Sequence, residues 1–575
     1  MGTPSQIRVD NQLVSSTKRM AQCFNEFFIG KVESIRSNMP PGNFPLVKLN
    51  EIMSNRNCKM QLNHVSLSKV KKVLKSLSNS RSTGLDELDN FSVKLAADFI
   101  AQPVHHIICL SIIQNKFPVS WKFSKVLPLH KKGDSLEMKN YRPVSILSPL
   151  SKVLEKIVYE QIYSYFSRNH LFHSNLHGYR SNRSTQTALL QMYDRWVRAA
   201  HEGELSGVVL LDLSAAFDLV DPNLLLSKLK IYGFDKYILE WVESYLSERH
   251  QAVWIDNALS DYLHCPVGVP QGSNLGPLLF LIYYNDLPYS LTCQIDAYAD
   301  DSTITASANT VSEISDSLTQ NCSIVKDWML GNRLKLNADK THLMMVGTGA
   351  RLRRQESTLE VSMDGVWLKE SDEASEKLLG CYISPNLKWQ RHVTEVLSKL
   401  QSRLNALEKL KHILPVNKKK IIVEGMFTSV LSYCLPVFGG CDKSEMEALQ
   451  VMQNKAARII TNSCIRTSRK ELFRQTEWLT VRQLVHYHTA LSTFRIRAKK
   501  EPEYLFQIMN KDNERTKKII VPNTKLTLAM NSYCFRGSLQ WNQLPEDLRS
   551  TVSLGYFKKQ VKAWIRSNVP QFEET

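Results

Sequence analysis

An α+β fold is predicted for this 575-residue chain by two observations. Apolar residues recur at helical spacing over long stretches, and that period is interrupted by short apolar runs of strand type. A hydrophobic content of 43% is enough to build a core. A chain of this length outgrows a single core, so roughly three or four packed subdomains are expected. No apolar run reaches the roughly 18 residues of a membrane helix, and Met1 is not followed by a secretory apolar region. A soluble intracellular protein without a membrane partner is therefore expected. The 11 cysteines are scattered, with no CxxC pair and no Cys/His knuckle spacing, which favours small buried hydrophobes over disulfides or zinc.

The net charge of +18 is unevenly spread. Positions 401–575 hold 29 Lys/Arg against 15 Asp/Glu, whereas the first 400 residues hold 44 against 40. A basic C-terminal third on a nearly neutral body suits a clamp on a polyanion, with ordinary solubilising charge as the plainer alternative.

Taken in order, residues 1–63 contain Pro40, Pro41, Gly42 and Pro45 and read as a linker with a short helix around Met20 to Val32. Helices are expected over Val65 to Leu77, Phe91 to Asn115, Ser148 to Phe166 and Arg180 to Ala200. Between them Tyr141-Arg-Pro-Val is a break, because proline excludes helix at the residue before it. Val208 to Leu213 is a nearly unbroken apolar run interrupted at Asp212, the pattern of a buried central strand. Leu224 to Leu246 returns to helical spacing, and short strands are expected at Val253-Trp-Ile, Ala297-Tyr-Ala and Ser302 to Thr305. From His392 to Leu410 the apolar residues fall on one helix face, with Arg391, Lys399, Arg403 and Lys409 largely off it. The remainder, through Trp478, Trp541 and Trp564, reads as helical and basic.

The chemistry gathers around acidic residues. Asp300 and Asp301 are adjacent in a strand-flanked turn. Neighbouring carboxylates repel unless a cation lies between them, and hard oxygen ligands suit magnesium or manganese. A solvated acidic turn is the alternative. Asp212 at the end of a buried strand is costly unless paired or metal-bound, so it is a candidate third ligand. Asp218, six residues on, reads as a capping or solvated carboxylate. Phe217 is a flat aromatic able to pack on a sugar ring, or a plain core residue. Gly268-Val-Pro-Gln-Gly-Ser-Asn-Leu-Gly-Pro is a glycine-punctuated turn, in which Gln271 offers an amide and Gly272 permits close backbone approach to a ligand.

In that order and spacing, Asp212-Leu-Ser-Ala-Ala-Phe-Asp, Val269-Pro-Gln-Gly-Ser-Asn-Leu-Gly-Pro and Tyr298-Ala-Asp-Asp resemble motifs A, B and C of reverse transcriptases. Upstream, Pro128-Leu-His-Lys-Lys-Gly-Asp, Asn140-Tyr-Arg-Pro-Val-Ser and His177-Gly-Tyr-Arg-Ser-Asn-Arg-Ser-Thr resemble fingers motifs of the non-LTR retrotransposon branch. Leu336-Asn-Ala-Asp-Lys-Thr and Leu378-Leu-Gly-Cys-Tyr-Ile resemble motifs D and E, and Trp541-Asn-Gln-Leu-Pro with Phe557-Lys-Lys is similar to tails of jockey-like or chicken-repeat-like elements. The chain starts in what resembles the linker after an endonuclease, which puts target nicking by this polypeptide in doubt.

The resemblance implies a right-hand polymerase: an N-terminal linker (1–63), fingers and N-terminal extension (64–207), an antiparallel palm packed on helices (208–386), a helical thumb (387–480) and a basic C-terminal region (481–575). It also implies RNA-directed DNA synthesis with two Mg2+ ions, Mn2+ being an alternative, held by Asp212, Asp300 and Asp301 with the carbonyl of Leu213. Phe217 would be the steric gate against a 2′-hydroxyl, and Gln271 and Gly272 would meet the incoming nucleotide. Lys131, Lys132 and Arg142 would neutralise its triphosphate, and Lys340 would protonate pyrophosphate. Arg391, Lys399, Arg403 and Lys409 would track the nucleic-acid backbone from the thumb helix. Expected partners are an RNA template, a DNA primer, dNTPs and element RNA in a ribonucleoprotein, with action in the nucleus at integration and cytoplasmic residence beforehand. A catalytically silent or domesticated RNA-binding copy is the alternative function.

Overall fold

The computed structural model describes residues 4–39, 46–337, 340–355, 357–363, 365–370, 374–409, 411–513, 515–516 and 518–570. Pro40, Pro41, Gly42, Pro45 and Leu410, on which the linker and thumb-helix expectations partly rest, lie outside the described residues, as do Ala338 and Asp339 of motif D. Helix makes up 53% and strand 15%, an α+β composition consistent with a polymerase fold. The chain divides into two compact units, each assembled from separated stretches: Met1–Tyr179, Asp212–Thr292 and Ser323–Asp339 form one, and Arg180–Leu211, Cys293–Cys322 and Lys340–Thr575 the other.

The first unit is built on a sheet in which Phe123–His130 pairs antiparallel with Tyr141–Ile146 and parallel with Arg249–Ile255. The Pro128 and Pro143 positions face each other in this ladder. The N-terminal stretch contributes more than a spacer. Its helix runs over Thr17–Ser37, longer than expected, and Met20, Ala21, Phe24 and Phe28 bury against Val126, Tyr141, Val253 and Ile255 of the sheet.

Two expected helices are each split. Phe91 to Asn115 resolves into Asn90–Leu95, capped by the Asp89 carboxylate, and Ala97–Ile113. Leu224 to Leu246 resolves into Pro222–Ile231 and Lys236–Leu246. The second break is held from outside, because Met60 donates its N–H to Gly233 and accepts from Asp235, clamping the turn between the helices. Uniform helical spacing cannot reveal such a remote clamp.

The second unit contains the central sheet, in the order Gln294–Tyr298, Asp301–Ala308, Leu205–Leu211, His342–Val346, antiparallel throughout. Leu205–Leu211 lies inside the sheet and every residue except Leu210 is fully buried, as its apolar run demands. The helix Thr185–His201 starts five residues later than expected, where Ser184 and Thr187 close a capping box. It packs on the sheet with Trp196 Nε1 donating to Thr305 Oγ1 at 3.3 Å, and Arg195 pairs with the buried Asp296 at 2.6 Å.

One apolar core runs from this helix and the sheet through Gln390–Glu408, Lys443–Thr461, Val481–Lys499, Tyr533–Gln543 and Leu554–Asn568. Val393, Val396, Leu400, Leu404 and Leu407 of the expected stripe are buried in it, and Arg391, Lys399, Arg403 and Lys409 are exposed. Among the described residues, no helix is long and apolar enough to cross a membrane.

Candidate active site

In the first unit, Asp212 and the five residues after it leave the central strand and turn sharply. Leu213 and Ser214 pair antiparallel with Leu336 and Lys335, and Asn337 donates its backbone N–H to the Asp212 carbonyl at 2.9 Å. The Asn337 side chain donates to Asp212 Oδ2 at 3.2 Å. The carboxylate is only partly buried, so the cost expected of a fully buried charge is not incurred there. Phe217 stacks on Phe280 with ring centroids 4.7 Å apart and meets Tyr179 edge-on at 6.0 Å. Packed on two sides and only half-buried, its ring is held in a fixed pose.

Phe280 belongs to the apolar helix Gly276–Tyr284. That helix is anchored by Lys228, whose ammonium donates to Tyr283 O at 2.7 Å and pairs with Asp286 at 2.6 Å, all in the interior.

The glycine turn is fastened at three places. Gly268 donates to Val220 O and Val269 to Phe217 O, at 2.8 and 2.9 Å, which lays the turn on motif A. Gly268 has a φ of +88°, and a Cβ there would stand 2.7 Å from Asp218 O. Gln271 O accepts from Ser145 N at 2.8 Å, and a Cβ on Gly272, whose φ is +128°, would meet Ser145 O at 2.3 Å. At the far end the fully buried Glu155 accepts from the N–H groups of Asn274 and Leu275 at 2.7 and 3.3 Å and from Ser151 Oγ at 2.9 Å. Burial raises the Glu155 carboxyl above its ordinary range, and Arg249 and these donors oppose the shift.

Asp218 departs from the solvated or capping role expected of it. Its two oxygens accept from Gln271 Nε2 at 2.8 Å each, and burial pushes its carboxyl up to about 6. The reason is topological: the turn folds back over motif A and leaves part-buried a residue that the local sequence leaves open.

Lys131, Lys132 and Arg142 are exposed at the loop end of the Phe123–His130/Tyr141–Ile146 hairpin, where Lys131 N donates to Asn140 O at 2.8 Å. All three belong to the first unit, with Asp212, Leu213, Phe217, Gln271 and Gly272.

In the second unit, Asp300 and Asp301 sit in a tight hairpin. Tyr298 pairs with Asp301, leaving Ala299 and Asp300 as the two-residue connection, with Ala299 at a φ of +61°. Asp300 is partly exposed and Asp301 exposed, and Lys340 is exposed before the edge strand. On the helix Gln390–Glu408, Arg391 pairs with Glu395 at 2.9 Å and lies 5.4 Å over the Tyr382 ring.

The donor chemistry of Asp212, Asp300 and Asp301, carboxylate oxygens none of which is fully buried, fits a hard divalent cation. Among the described residues, no group of three or more His, Cys, Asp or Glu side chains is drawn together as a metal site.

Sequence reasoning missed Asp218 as a part-buried partner of Gln271, the bonds of Asn337 to Asp212, and Glu155 altogether. A signal for Glu155 was present: it is the one carboxylate on the apolar face formed by Val153, Leu154, Ile157 and Val158.

Residues 129–383 match the family model described as reverse transcriptase (RNA-dependent DNA polymerase). Among curated proteins, the chain is 27% identical over 453 residues to a probable RNA-directed DNA polymerase from transposon BS of Drosophila melanogaster, covering 75% of this chain and 48% of the relative. It is 25% identical over 419 residues to the RNA-directed DNA polymerase from mobile element jockey of the same species, covering 70% and 44%. Against the probable RNA-directed DNA polymerase from transposon X-element, also of that species, identity is 25% over 484 residues, covering 80% and 52%. The chain thus spans about half the length of these relatives. Motif order, an antiparallel sheet bearing the paired aspartates and the extent of these matches agree: the chain carries a reverse transcriptase domain, with homologues in the Drosophila non-LTR retrotransposons.

Proposed function

We propose that this chain is an RNA-directed DNA polymerase of a non-LTR retrotransposon, extending a DNA primer with deoxynucleotides on an RNA template. The observation that carries this reading is the register of the central sheet. Leu211, the residue before Asp212, pairs with Ser302, the residue after Asp301. The relatives' description as RNA-directed DNA polymerases supports it.

Asp212, Asp300 and Asp301 would hold two magnesium or manganese ions, with the Leu213 carbonyl as a further ligand. When bound, such ions acidify the primer hydroxyl and neutralise the triphosphate and the departing pyrophosphate. Phe217 would stand against a ribose 2′-hydroxyl, with Phe280 and Tyr179 backing its ring on two sides. Gln271 and Gly272 would contact the nucleotide, Lys131, Lys132 and Arg142 would bind its phosphates, and Lys340 would return a proton to pyrophosphate. Arg391, Lys399, Arg403 and Lys409 would meet the phosphate backbone, contacts that position without reading sequence. Residues 64–207, 208–386 and 387–480 would serve as fingers, palm and thumb, and 481–575 as a basic extension that adds salt-sensitive affinity for element RNA. The place of action would be the nucleus during integration.

Primer extension on an RNA template with magnesium tests this. The parent should extend with dNTPs in preference to rNTPs, and Asp300→Asn should lower the rate by on the order of a hundredfold or more, as loss of a metal-holding carboxylate in transfer chemistry would. RNA affinity, carried by phosphate contacts, should stay within about twofold. A parent that binds RNA and never extends would identify a silent RNA-binding copy instead, and equal rates in parent and variant would overturn the role of Asp300.

A further inference from the structure

We propose that Asp218 is a positioning residue for Gln271, fixing which end of its amide is presented to the incoming nucleotide. This rests on the reading of Gln271 as a nucleotide contact. A primary amide has a donor end and an acceptor end, and an ionised carboxylate only accepts. With Nε2 donating to both oxygens of Asp218 at 2.8 Å, the donor end is committed and Oε1 is turned the other way. A flipped amide would set oxygen against oxygen.

The backbone leaves the pair little freedom. Gly268 and Val269 are bonded to Val220 and Phe217 on either side of Asp218, and Gln271 O is held by Ser145 N. Gly268 runs so close to Asp218 that an added Cβ would stand 2.7 Å from Asp218 O, which leaves no room for a side chain between the two segments. The same segment that presents Phe217 therefore also sets the amide of Gln271, and sugar selection and nucleotide contact are coupled through one residue.

Asp218 and Gln271 form part of the wall of a cavity of about 410 Å³ that also carries charged and titratable groups from three elements. These are Glu33 and Arg36 of the helix Thr17–Ser37, Arg249 and His250 of the strand Arg249–Ile255, and Cys265 of Leu263–Cys265. Lys31 of that helix adds a lowering pull on Asp218, Arg36 is engaged by Asp221 at 2.7 Å, and burial pushes the Cys265 thiol up to about 12, so it stays neutral. Burial prevails at Asp218, whose carboxyl is pushed up to about 6 with the Gln271 N–H opposing. Once protonated, Asp218 has a donor of its own and tolerates either orientation of the amide.

The test is steady-state primer extension by the full chain, varying dNTP, with the parent, Asp218→Asn, Asp218→Ala, Gln271→Ala and the double variant Asp218→Ala/Gln271→Ala. Both Asp218 variants should raise KM for dNTP about tenfold, the size of one lost orienting hydrogen bond, with kcat within about threefold. On the Gln271→Ala background, Asp218→Ala should add nothing, since its effect runs through that amide. The ratio of KM in Asp218→Asn to KM in the parent should fall towards one as pH drops below about 6. Taking the ratio cancels titration of the nucleotide itself, and the asparagine variant, which keeps the shape of the side chain, carries the test if the alanine variant fails to fold.

Unchanged KM in both Asp218 variants, an undiminished effect on the Gln271→Ala background, or a pH-independent ratio would each overturn the proposal. If Gln271→Ala leaves KM unaltered, the nucleotide-contact reading of Gln271 fails and takes the proposal with it. If Gln271→Ala raises KM and the Asp218 variants do not, the role of Asp218 alone fails.

Discussion

The glycine turn at 268–275 and the aspartate hairpin at 298–301 are both short connections that carry candidate site residues, and they are held by opposite means. The hairpin is defined by its own ladder, Gln294 to Tyr298 against Asp301 to Thr305, and the single unusual backbone angle falls on Ala299. The turn has no ladder. Its shape comes from groups that are remote in sequence: Ser145, Phe217, Val220, Asp218 and Glu155. A locally closed hairpin depends little on its surroundings, whereas a turn closed by distant partners responds to each of them, to a degree set by what each partner does.

Gly272→Ala should have the largest effect on this contrast. The substitution places a Cβ 2.3 Å from Ser145 O at a φ of +128°, so the loop must leave Ser145 or strain. A loss of about 3 kcal/mol or more is expected, read from the midpoint of chemical denaturation of the full chain. A loss below about 1 kcal/mol would mean that the turn is not held as described.

Glu155→Ala comes next. It strands the N–H group of the buried Leu275 and loses the part-buried bond to the exposed Asn274, and an unpaired buried donor costs roughly 1–3 kcal/mol, so a drop of about 2 kcal/mol is expected by the same measurement. Because the helix after the turn carries Phe280, discrimination between dNTP and rNTP in primer extension should weaken with it.

A smaller effect is expected at Asp218, and its sign follows from the shift. The folded carboxyl titrates near 6 against 3.8 when unperturbed, so the folded state binds the proton more tightly, and the parent loses stability as pH rises through that window. Asp218→Asn has no proton to lose. Its Tm should match the parent near pH 4 and exceed it above about pH 6, and a constant offset across that range would contradict the burial that raises the carboxyl.

The smallest change is expected in the hairpin. Ala299→Gly relieves a left-handed residue and adds unfolded-state freedom, two terms of opposite sign and about 1 kcal/mol each. Denaturation midpoints should therefore coincide to within about 1 kcal/mol. A large loss would show that Ala299 is held by packing and erase the contrast with the turn.

How much was legible in the sequence follows the same division. The central strand, the paired aspartates and the apolar stripe of the helix Gln390–Glu408 were readable, since a continuous apolar run, a tight turn and helical period are local patterns. Two of the helices were drawn unbroken, and for Leu224 to Leu246 the reason is that the clamp at Met60 does not alter hydrophobic period. Asp218 was read as solvated because exposure is decided by what packs over a residue. The N-terminal helix looked like part of a linker because its partners, Val126, Tyr141, Val253 and Ile255, lie more than a hundred residues away.

By itself the sequence determined the order of the motifs, the acidic residues available to a cation, the aromatic at Phe217 and the basic bias of the C-terminal third, all of which are properties of residue type and spacing. Only the tertiary structure decided that Gln271 is committed to Asp218, that Phe217 is wedged between Phe280 and Tyr179, and that Glu155 closes the glycine turn. The physical reason is that a hydrogen bond or ring contact depends on distance in space, and burial, which sets both the strength of such contacts and the titration of the acids within them, exists only once the chain has folded.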